Sequence, residues 1–312
     1  MRPSIARRHA LICGLACAAV PWVVPRAFPP AVAADDTQPR VVMLDRPGAQ
    51  VELQFEPGFG PALQTQALAW VRAAVDAVAA YFGRFPVPRV ELLLQPVAGA
   101  GVRGGTAFPA PDPWVRVRLG VQTDEAGFRA DWVLVHEFIH LAIPQVPRGQ
   151  NWLHEGLATY VEGVSRGRAG LEAPAAVWAG WQRGMPQGLP QPGDRGLDHT
   201  PTWGRTYWGG ALWCLLADIR LLQRSGGRAG LQQALQGVLA AGGSYTQAWP
   251  VPRILAAADA AVGQDTLSAL YAEWKDQPVA VDLPALWRDL GLHGHSRRDD
   301  APLAAIRRTI LA

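Results

Sequence analysis

Alternating hydrophobic and polar residues predict several short strands in the first third of the chain. One segment between them, Pro61 to Phe82, instead repeats its apolar residues every three to four positions, which is typical of an amphipathic helix. The region from Arg40 to Leu119 is therefore predicted to hold a small mixed sheet with one helix. The runs that predict strands are RVVMLD (40–45), VELQFE (51–56), RVELLLQP (89–96) and PWVRVRLG (113–120).

From Thr123 onward the pattern is almost wholly helical, interrupted by glycine and proline loops. Thr123 and Asp124 are good caps for a helix of about five turns that ends before Pro144. After that turn, Asn151 is predicted to cap a second helix. Residues 167–204 are rich in glycine and proline, and we expect them to form either a surface loop or a loop that rims a cleft, with a short helix inside it.

The first residues have the composition of an export signal. Arg7 and Arg8 precede an apolar run from Ala10 to Val24, and small residues end at Ala33. The run is about 15 residues long, shorter than the roughly 20 that span a bilayer. We expect an exported protein, periplasmic or secreted, that touches a membrane only through this signal if it stays uncleaved. The arginine pair is typical of a twin-arginine signal.

These patterns divide the chain into four segments and predict an α+β fold. Residues 1–33 are the signal peptide, and 34–143 are an N-terminal lobe with a small mixed sheet and a long helix at its base. Residues 144–292 are an all-helical C-terminal lobe, and 293–312 are a peripheral tail. A mature chain of this size suits two lobes that share a cleft.

Charge and cysteine content exclude some classes of function. The chain has 29 basic and 26 acidic side chains, but the signal segment holds four arginines and no acid. Without it, 25 basic and 26 acidic side chains remain, so a nucleic-acid partner is not expected. Cys214 is the one cysteine beyond the signal, and its apolar surroundings predict a buried, inert thiol without an intrachain disulfide.

The stretch HEFIH (136–140) places polar residues on the first of the two predicted helices. His136 and His140 are four residues apart, so their side chains lie on one face and can share a small cation. Glu137 is rotated by about 100° around the axis and can reach a metal-bound water without binding the metal. This is the H-E-x-x-H pattern of zincins. The structural alternative is a pair of core histidines that bond to each other or to the backbone.

The second predicted helix offers a third ligand. Glu155 follows His140 after 14 residues, and a carboxylate on a returning helix would complete three ligands for one Zn²⁺ per chain. Three protein ligands leave a fourth position open, as in catalytic sites, whereas structural zinc sites are closed and usually rich in cysteine. His154, next to Glu155, points about 100° away and is predicted to be a neighbour of the site.

The sequence around these residues resembles the gluzincin (peptidase MA-like) zinc metallopeptidases. HEFIH followed by WLHEGLATYVE (152–162) is similar to their H-E-x-x-H motif and downstream E-G pair. RTYWGGALWCLLADIRLLQRSGG (205–227) is similar to the tyrosine-glycine helix of the glycyl aminopeptidase-like family and, more distantly, of aminopeptidase N. The resemblance implies a thermolysin-like zincin core in which Tyr207 stabilises an oxyanion. When only the neighbouring residues in the sequence are considered, a packing role for Tyr207 is an equal alternative to a catalytic one.

One departure from these families bears on specificity. Aminopeptidases of this type hold the free amine of the substrate with the glutamate of a G-x-M-E-N strand. The corresponding stretch here is RGGTAFPAPDPW (103–114), and no carboxylate lies within its GGTAF part (104–108). This puts exopeptidase specificity in doubt, and it leaves a strand that can pair with an extended peptide.

Two further polar residues are candidates with open alternatives. Glu162 lies two helical turns after Glu155, and it either bonds to a ligand histidine or is a surface carboxylate near a helix end. His199 lies in a loop, where it either reaches an oxyanion in the cleft or is an ordinary loop histidine.

The predicted function is an exported zinc-dependent metallopeptidase that acts on a peptide or protein substrate. Zinc would lower the pKa of its bound water, and Glu137 would take the proton as the water attacks a peptide carbonyl. Two alternatives use the same centre. One is a hydrolase of another amide, such as a cell-wall link. The other is an exported, non-catalytic, zinc-loaded module that binds a peptide or glycan in a cleft lined by tryptophans: Trp152, Trp203, Trp208 and Trp213.

Overall fold

Five strands form one mixed sheet. The computed structural model describes residues 40–109, 112–294 and 296–312. The strands of the sheet are β1 (Arg40–Arg46), β2 (Ala49–Phe55), β3 (Arg89–Val97), β4 (Val102–Phe108) and β5 (Trp114–Gly120). Their order in space is β1-β2-β3-β5-β4, with β2, β3 and β5 mutually parallel and β1 and β4 antiparallel to their neighbours. The prediction of an α+β protein with a small mixed sheet is confirmed.

Helix α1 (Pro61–Phe82) connects the parallel strands β2 and β3, as the apolar spacing predicted. Pro61 is its first residue, where the missing N–H costs nothing. Gly83 ends it with a left-handed φ of 76°, which a residue without a side chain adopts at low cost. The strands bury one face of the sheet, through alternate residues that include Val51, Leu53, Phe55, Val90, Leu92, Leu94, Val115, Val117 and Leu119.

Within the five-stranded sheet, β4 is the strand that the hydrophobic pattern did not predict. Its sequence, VRGGTAF, contains two adjacent glycines, and these weaken both the alternation and the intrinsic preference for a strand. It lies at one end of the sheet and pairs with β5, with a register shift between Val102 and Gly104. Its place is therefore set by the neighbouring strand and by what packs against its other face.

The prediction that one long helix carries HEFIH is wrong, because the structure has two helices in this region. They are α2 (Glu125–Arg129) and α3 (Val133–His140). The carboxylate of Asp131 accepts hydrogen bonds from the backbone N–H groups of Val133 (2.9 Å) and Leu134 (3.2 Å). Such bonds satisfy the free N–H groups of a first turn, so Asp131 starts a new helix.

The rest of the described chain is mainly helical, as predicted. The helices are α4 (Asn151–Arg168), α5 (Pro174–Gly184), α6 (Gly210–Ser225), α7 (Leu231–Ala240), α8 (Val251–Val262), α9 (Thr266–Trp274), α10 (Leu283–Asp289) and α11 (Ala304–Ile310). A two-stranded ribbon, β6 (Leu292–His293) with β7 (Ser296–Arg297), separates the last two. Asn151 is the first residue of α4 and not its cap, because a 3-10 turn leads straight into the helix. Cys214 is buried in α6 without a disulfide, as expected.

The C-terminal segment, predicted to be a peripheral tail, is docked onto the helical region. Ile310 and Arg307 of α11 are buried. Arg307 donates hydrogen bonds to the carbonyls of Leu290 (2.9 Å) and Gly291 (3.1 Å). From the other side, Arg168 at the end of α4 donates to the carbonyl of Ile310 (2.9 Å). These contacts make the segment part of the packing.

The predicted signal peptide, residues 1–33, lies outside the described residues. Among the helices that the structure does describe, none is both long and apolar enough to cross a membrane. The predicted lobe boundaries, 34–143 and 144–292, stay predictions.

Candidate metal centre

Two helices bring three possible ligand atoms together. His136 and His140 lie one turn apart on α3, and Glu155 is in the second turn of α4. The Nε2 atoms of His136 and His140 lie 3.3 Å and 3.5 Å from Oε2 of Glu155. One ligand atom from each residue falls within 4.8 Å of the others. The three side chains named as ligands from the sequence therefore meet at one point.

The spacing of these atoms suits Zn²⁺. Bonds of about 2.0–2.1 Å in a tetrahedron place neighbouring ligand atoms about 3.3–3.4 Å apart, close to the distances observed here. Burial opposes the charge of Glu155, but hydrogen bonds from His136 and His140 outweigh it and hold the pKa of this carboxyl well below its usual range. The group therefore stays ionised, as a ligand must.

Glu162 has a different role from either of those expected. The Nδ1 atoms of His136 and His140 are buried and have no hydrogen-bond partner in the described chain. Glu162 does not supply one, because its carboxylate accepts a hydrogen bond from Arg166 (2.7 Å). It is not a surface group either, since its side chain is only 13% exposed. Burial raises the pKa of Glu162 to about 7.

Glu137 lies on α3 between the two histidines and faces β4. A Cβ atom on Gly105 would lie 2.5 Å from Cγ of Glu137, so the strand packs directly on this side chain and a larger residue would have to displace it. The backbone of Ala107 is within hydrogen-bonding reach of the carboxylate. Burial raises the pKa of Glu137, a shift toward the range in which a general base works best.

Tyr207 lies beside the histidines. It belongs to a π-helical turn, Arg205–Gly209, and its ring stacks on that of His136 with centroids 6.3 Å apart. Burial, together with the carboxylates of Glu155 and Glu137, raises the pKa of Tyr207 to about 12. The hydroxyl therefore keeps its proton at neutral pH and can donate a hydrogen bond.

Two features fix the turn that carries Tyr207. Arg205 is buried, with Nε 2.7 Å from Oδ2 of Asp194, and Nη1 donates to the carbonyl of Gly188 (2.5 Å). Where the turn passes into α6, Gly210 lies against Gly156 of α4 so closely that no side chain fits between the helices. π-Helical turns of this kind are frequent at functional sites.

Two aromatic side chains pack on the second histidine. The ring of His154 stacks on His140 with centroids 4.5 Å apart, and its Nε2 lies 3.3 Å from the carbonyl of Ile143. Burial, and then the neighbouring His140, lower the pKa of His154 to about 3, so the ring is neutral. Tyr245 packs 6.5 Å from His140, and its hydroxyl donates to the carbonyl of Ala107 (3.4 Å). His154 lies outside the ligand group, and its ring and that of Tyr245 support His140.

No sequence motif indicates Tyr245, because contacts between distant segments place it at the site. Its backbone N–H donates to the carbonyl of Leu141 (3.0 Å), and its carbonyl accepts from the side chain of Gln145 (3.0 Å). Gln145 and Gln247 add a backbone hydrogen bond of 2.8 Å. The loop after α7 is thus joined to the end of α3, which presents Tyr245 to the histidines.

His199 is not part of the site. Its Nε2 lies 2.9 Å from Oδ1 of Asp276 in an exposed pair. The adjacent Asp198 accepts hydrogen bonds from Trp152 (2.7 Å) and Tyr271 (2.6 Å). The loop that contains His199 is therefore anchored to the helical region, and the alternative of an ordinary loop histidine holds.

A cavity of about 360 Å³, which we call the aromatic pocket, opens beside His136. Trp132 and Tyr207 line it, and both rings contact that of His136. Residues 167–204 supply much of its wall, in agreement with the prediction of a segment that rims a cleft. A larger cavity of about 530 Å³, between α1 and α2, contains none of the three ligand residues.

The four tryptophans proposed for the cleft separate into two groups. Trp203 and Trp208 line the aromatic pocket. Trp152 and Trp213 are buried in the core, where their rings meet edge to face. The cleft is therefore aromatic, but half of the proposed residues pack the interior.

Solved structures of zinc metallopeptidases share this fold. An M1 zinc metallopeptidase from Deinococcus radiodurans is similar with a TM-score of 0.51 and 16% identity, over 78% of this chain and 52% of that chain. An aminopeptidase N family protein from Idiomarina loihiensis is similar with a TM-score of 0.53 and 13% identity, over 86% and 49% of the two chains. The chain has the fold of M1 zinc metallopeptidases. It spans about half the length of these proteins.

Comparison of the sequence with family models and curated proteins finds no relative. No protein-family model matches the chain, and no curated protein matches it. The resemblance to the glycyl aminopeptidase-like family therefore stays a prediction.

Proposed function

We propose that the protein is an exported, zinc-dependent metallopeptidase of gluzincin type with a thermolysin-like core. The observation that carries the proposal is the meeting of His136, His140 and Glu155 with Glu137 beside them. Metal binding alone does not require a second, buried carboxylate, and burying one is costly. Its presence next to the ligands favours an enzyme over a binding module.

The described side chains support a consistent division of roles. His136, His140 and Glu155 would hold one Zn²⁺, which supplies a Lewis acid and lowers the pKa of water. Glu137 would accept a proton from the attacking water and pass it to the leaving amine, since its raised pKa suits both transfers. Tyr207 would donate a hydrogen bond to the oxygen on which negative charge develops.

Strand β4 supports a peptide substrate. Because it lies at the end of the sheet and contacts Glu137, an extended peptide could pair with it and pass over the site. The strand carries no carboxylate, and Ala107 faces Glu137. We therefore propose that cleavage does not depend on anchoring a free amine at this strand.

Metal content tests the ligand set. We expect one zinc per chain in the wild type, and loss of most of it in Glu155→Gln, because a carboxylate ligand becomes a weak amide donor. His154→Phe is the matched control, since it changes the other half of the same His-Glu pair and leaves the three ligands in place. Zinc loss in His154→Phe with full retention in Glu155→Gln would overturn the assignment.

Turnover tests the reaction. Wild type and Glu137→Gln would be assayed on denatured casein, a peptide library and peptidoglycan, with zinc content and thermal unfolding measured in parallel. We expect peptide cleavage by the wild type and its loss in a folded, zinc-loaded Glu137→Gln. Peptide binding without turnover in the wild type would favour the binding module, and release from peptidoglycan alone would favour a cell-wall amidase.

Export is a separate part of the proposal and rests on residues 1–33. We expect the full chain to be recovered from the periplasmic or culture fraction with a new N-terminus after Ala33. Recovery of the uncut chain in the membrane fraction would favour the anchor instead.

A further inference from the structure

One face of strand β4 is turned away from the proposed metal site. Gly105 packs against Glu137, and successive residues of a strand point to opposite faces of the sheet, so Gly104 lies on the outer face. In the neighbouring strand β5, Arg118 is directly opposite Gly104, and Arg116 is two residues before it on the same face. Both arginines line a cavity of about 300 Å³ on this face, which we call the arginine pocket.

Gly104 leaves room for the side chain of Arg118 to lie across β4. A Cβ atom on Gly104 would lie 3.2 Å from Nη2 of Arg118, and the φ of 135° at Gly104 is one that residues with a side chain rarely adopt. Nη2 donates a hydrogen bond to the carbonyl of Arg103 (3.1 Å), which belongs to β4 itself. The guanidinium of Arg118 is therefore held over the last strand of the sheet.

The two guanidinium groups of the arginine pocket have no carboxylate partner in the part of the chain that the structure describes. Arg116 is half-buried, and its guanidinium lies 5.6 Å from the centre of the Phe108 ring. That ring stacks on Trp114 with centroids 4.0 Å apart, so an aromatic pair supports the arginine. No carboxylate lines the pocket.

The carboxylates on the same face of the sheet belong to a different group. Glu52 lies 2.6 Å from Arg89, and the charge of Glu91 also acts on Arg89. Arg89 is the first residue of β3, whereas Arg118 pairs with Gln95, six residues further along that strand. Six residues of a strand span about 20 Å, beyond the screening length of about 8 Å at physiological salt. The charge of Arg118 is therefore available to a ligand.

We propose that the arginine pocket binds the carboxylate of an aspartate or glutamate residue in a peptide that pairs with β4. Neighbouring strands lie about 4.8 Å apart, so such a peptide lies one strand spacing from the guanidinium above Gly104. Residues directly opposite each other in two strands share a face of the sheet. The peptide residue opposite Gly104 therefore points to the outer face, within reach of Arg118. A guanidinium binds a carboxylate through two parallel hydrogen bonds, which favours an acidic side chain over a neutral amide.

The place of this peptide at β4 rests on the proposed peptidase function, whereas the capture of a carboxylate by the arginines can be measured without cleavage. Two capped heptapeptides of alanine and serine, with glutamate or glutamine at the centre, have nearly the same shape and differ by one charge. Their affinities would be measured by calorimetry on the zinc-loaded Glu137→Gln protein, which keeps both arginines and should not cleave the peptides. Thermal unfolding of each variant shows that it is folded.

We expect the glutamate peptide to bind about fivefold to tenfold more tightly at low salt, and the preference to shrink as salt is added. Adding Arg118→Gln should abolish the preference, and adding Arg116→Gln should reduce it. Arg89→Gln is the matched control, because it removes the same charge from the same face but from the pair with Glu52. Equal affinity for the two peptides, an unchanged preference in a folded Arg118→Gln protein, or an equal loss in Arg89→Gln would overturn the proposal.

Cleavage assays separate this proposal from the proposed function. In peptides with one scissile bond, a single glutamate or glutamine would be moved along the chain and the values of kcat/KM compared. We expect the preference for glutamate only at alternate positions, since every second residue of an extended peptide faces outward, and its loss in Arg118→Gln. Selective binding of the glutamate peptide without cleavage of any peptide would refute the peptidase and keep the arginine pocket. Cleavage with no preference for glutamate at any position would do the reverse.

Discussion

Gly156 of α4 and Gly210 of α6 bring the backbones of two helices into direct contact. A Cβ atom on Gly156 would lie 2.4 Å from Cα of Gly210, and one on Gly210 would lie 2.4 Å from the carbonyl oxygen of Trp152. Gly156 follows Glu155, a proposed metal ligand, and Gly210 follows the turn that carries Tyr207. The contact therefore sets the distance between the proposed metal ligand and the proposed oxyanion donor.

Gly156→Ala should lower the free energy of unfolding by about 1–3 kcal/mol, because the added methyl group meets backbone atoms that can only move with their helix. Urea unfolding measures the change. Gly180→Ala in α5 is the control, since its Cβ would meet nothing within 4 Å and should stabilise the helix by about 0.5–1 kcal/mol. Equal unfolding midpoints for the two variants would contradict the close approach.

Gly105→Ala should reduce kcat by roughly 100-fold, because a displacement of about 1 Å at a catalytic group has an effect of this size. The new methyl group would displace Glu137, whose Cγ lies 2.5 Å from the added atom. Zinc content should stay at one per chain. Thr106→Ala, at the exposed neighbouring position of β4, should keep wild-type activity. Wild-type kcat in Gly105→Ala would show that Glu137 is not held as described.

Tyr207→Phe should lower kcat by about 100-fold to 1,000-fold and leave KM nearly unchanged, as expected for a donor that acts on the transition state. Tyr245→Phe should have a smaller effect, because its hydroxyl already donates to Ala107 at 3.4 Å. Steady-state kinetics on one peptide substrate compares the two variants. A larger loss of kcat in Tyr245→Phe would indicate that Tyr245, and not Tyr207, is the oxyanion donor.

Glu162→Gln should make stability less dependent on pH. Burial raises the pKa of Glu162 from 4.5 to about 7, so the folded state binds this proton more tightly than the unfolded state does. The folded protein should therefore lose stability as the pH rises through that interval, by on the order of 2–3 kcal/mol. Urea midpoints at pH 5 and pH 8 should differ less in the variant than in the wild type. The same pH difference in both proteins would refute the shift.

Local sequence pattern was sufficient for the elements that depend on neighbours along the chain. The alternation in RVELLLQP and the spacing in Pro61–Phe82 matched β3 and α1. The four-residue spacing of His136 and His140 placed both on one face of a helix. The asymmetry of the second His-Glu pair also follows from helical geometry: Glu155 reaches both histidines, whereas His154 is not one of the three possible ligands and stacks on the ring of His140.

Other features required the tertiary structure. Strand β4 has a weak pattern and is held by β5 and Glu137. The break before α3 depends on whether Asp131 caps a new turn or continues the old helix. Glu162 bonds to Arg166, one turn further along the same helix, and not to a histidine as one of the two expectations had it.

The sequence by itself determined the spacing of the three possible metal ligands on α3 and α4, the alternation of the strands and the helical character of the second half. These follow from fixed side-chain directions, repeating every 3.6 residues in a helix and every two in a strand. Only the tertiary structure decided that Tyr245 packs on His140, that Gly105 faces Glu137 and that an aromatic pocket opens beside His136. Such contacts join residues far apart in the chain, and they depend on how whole elements pack, which no local period encodes.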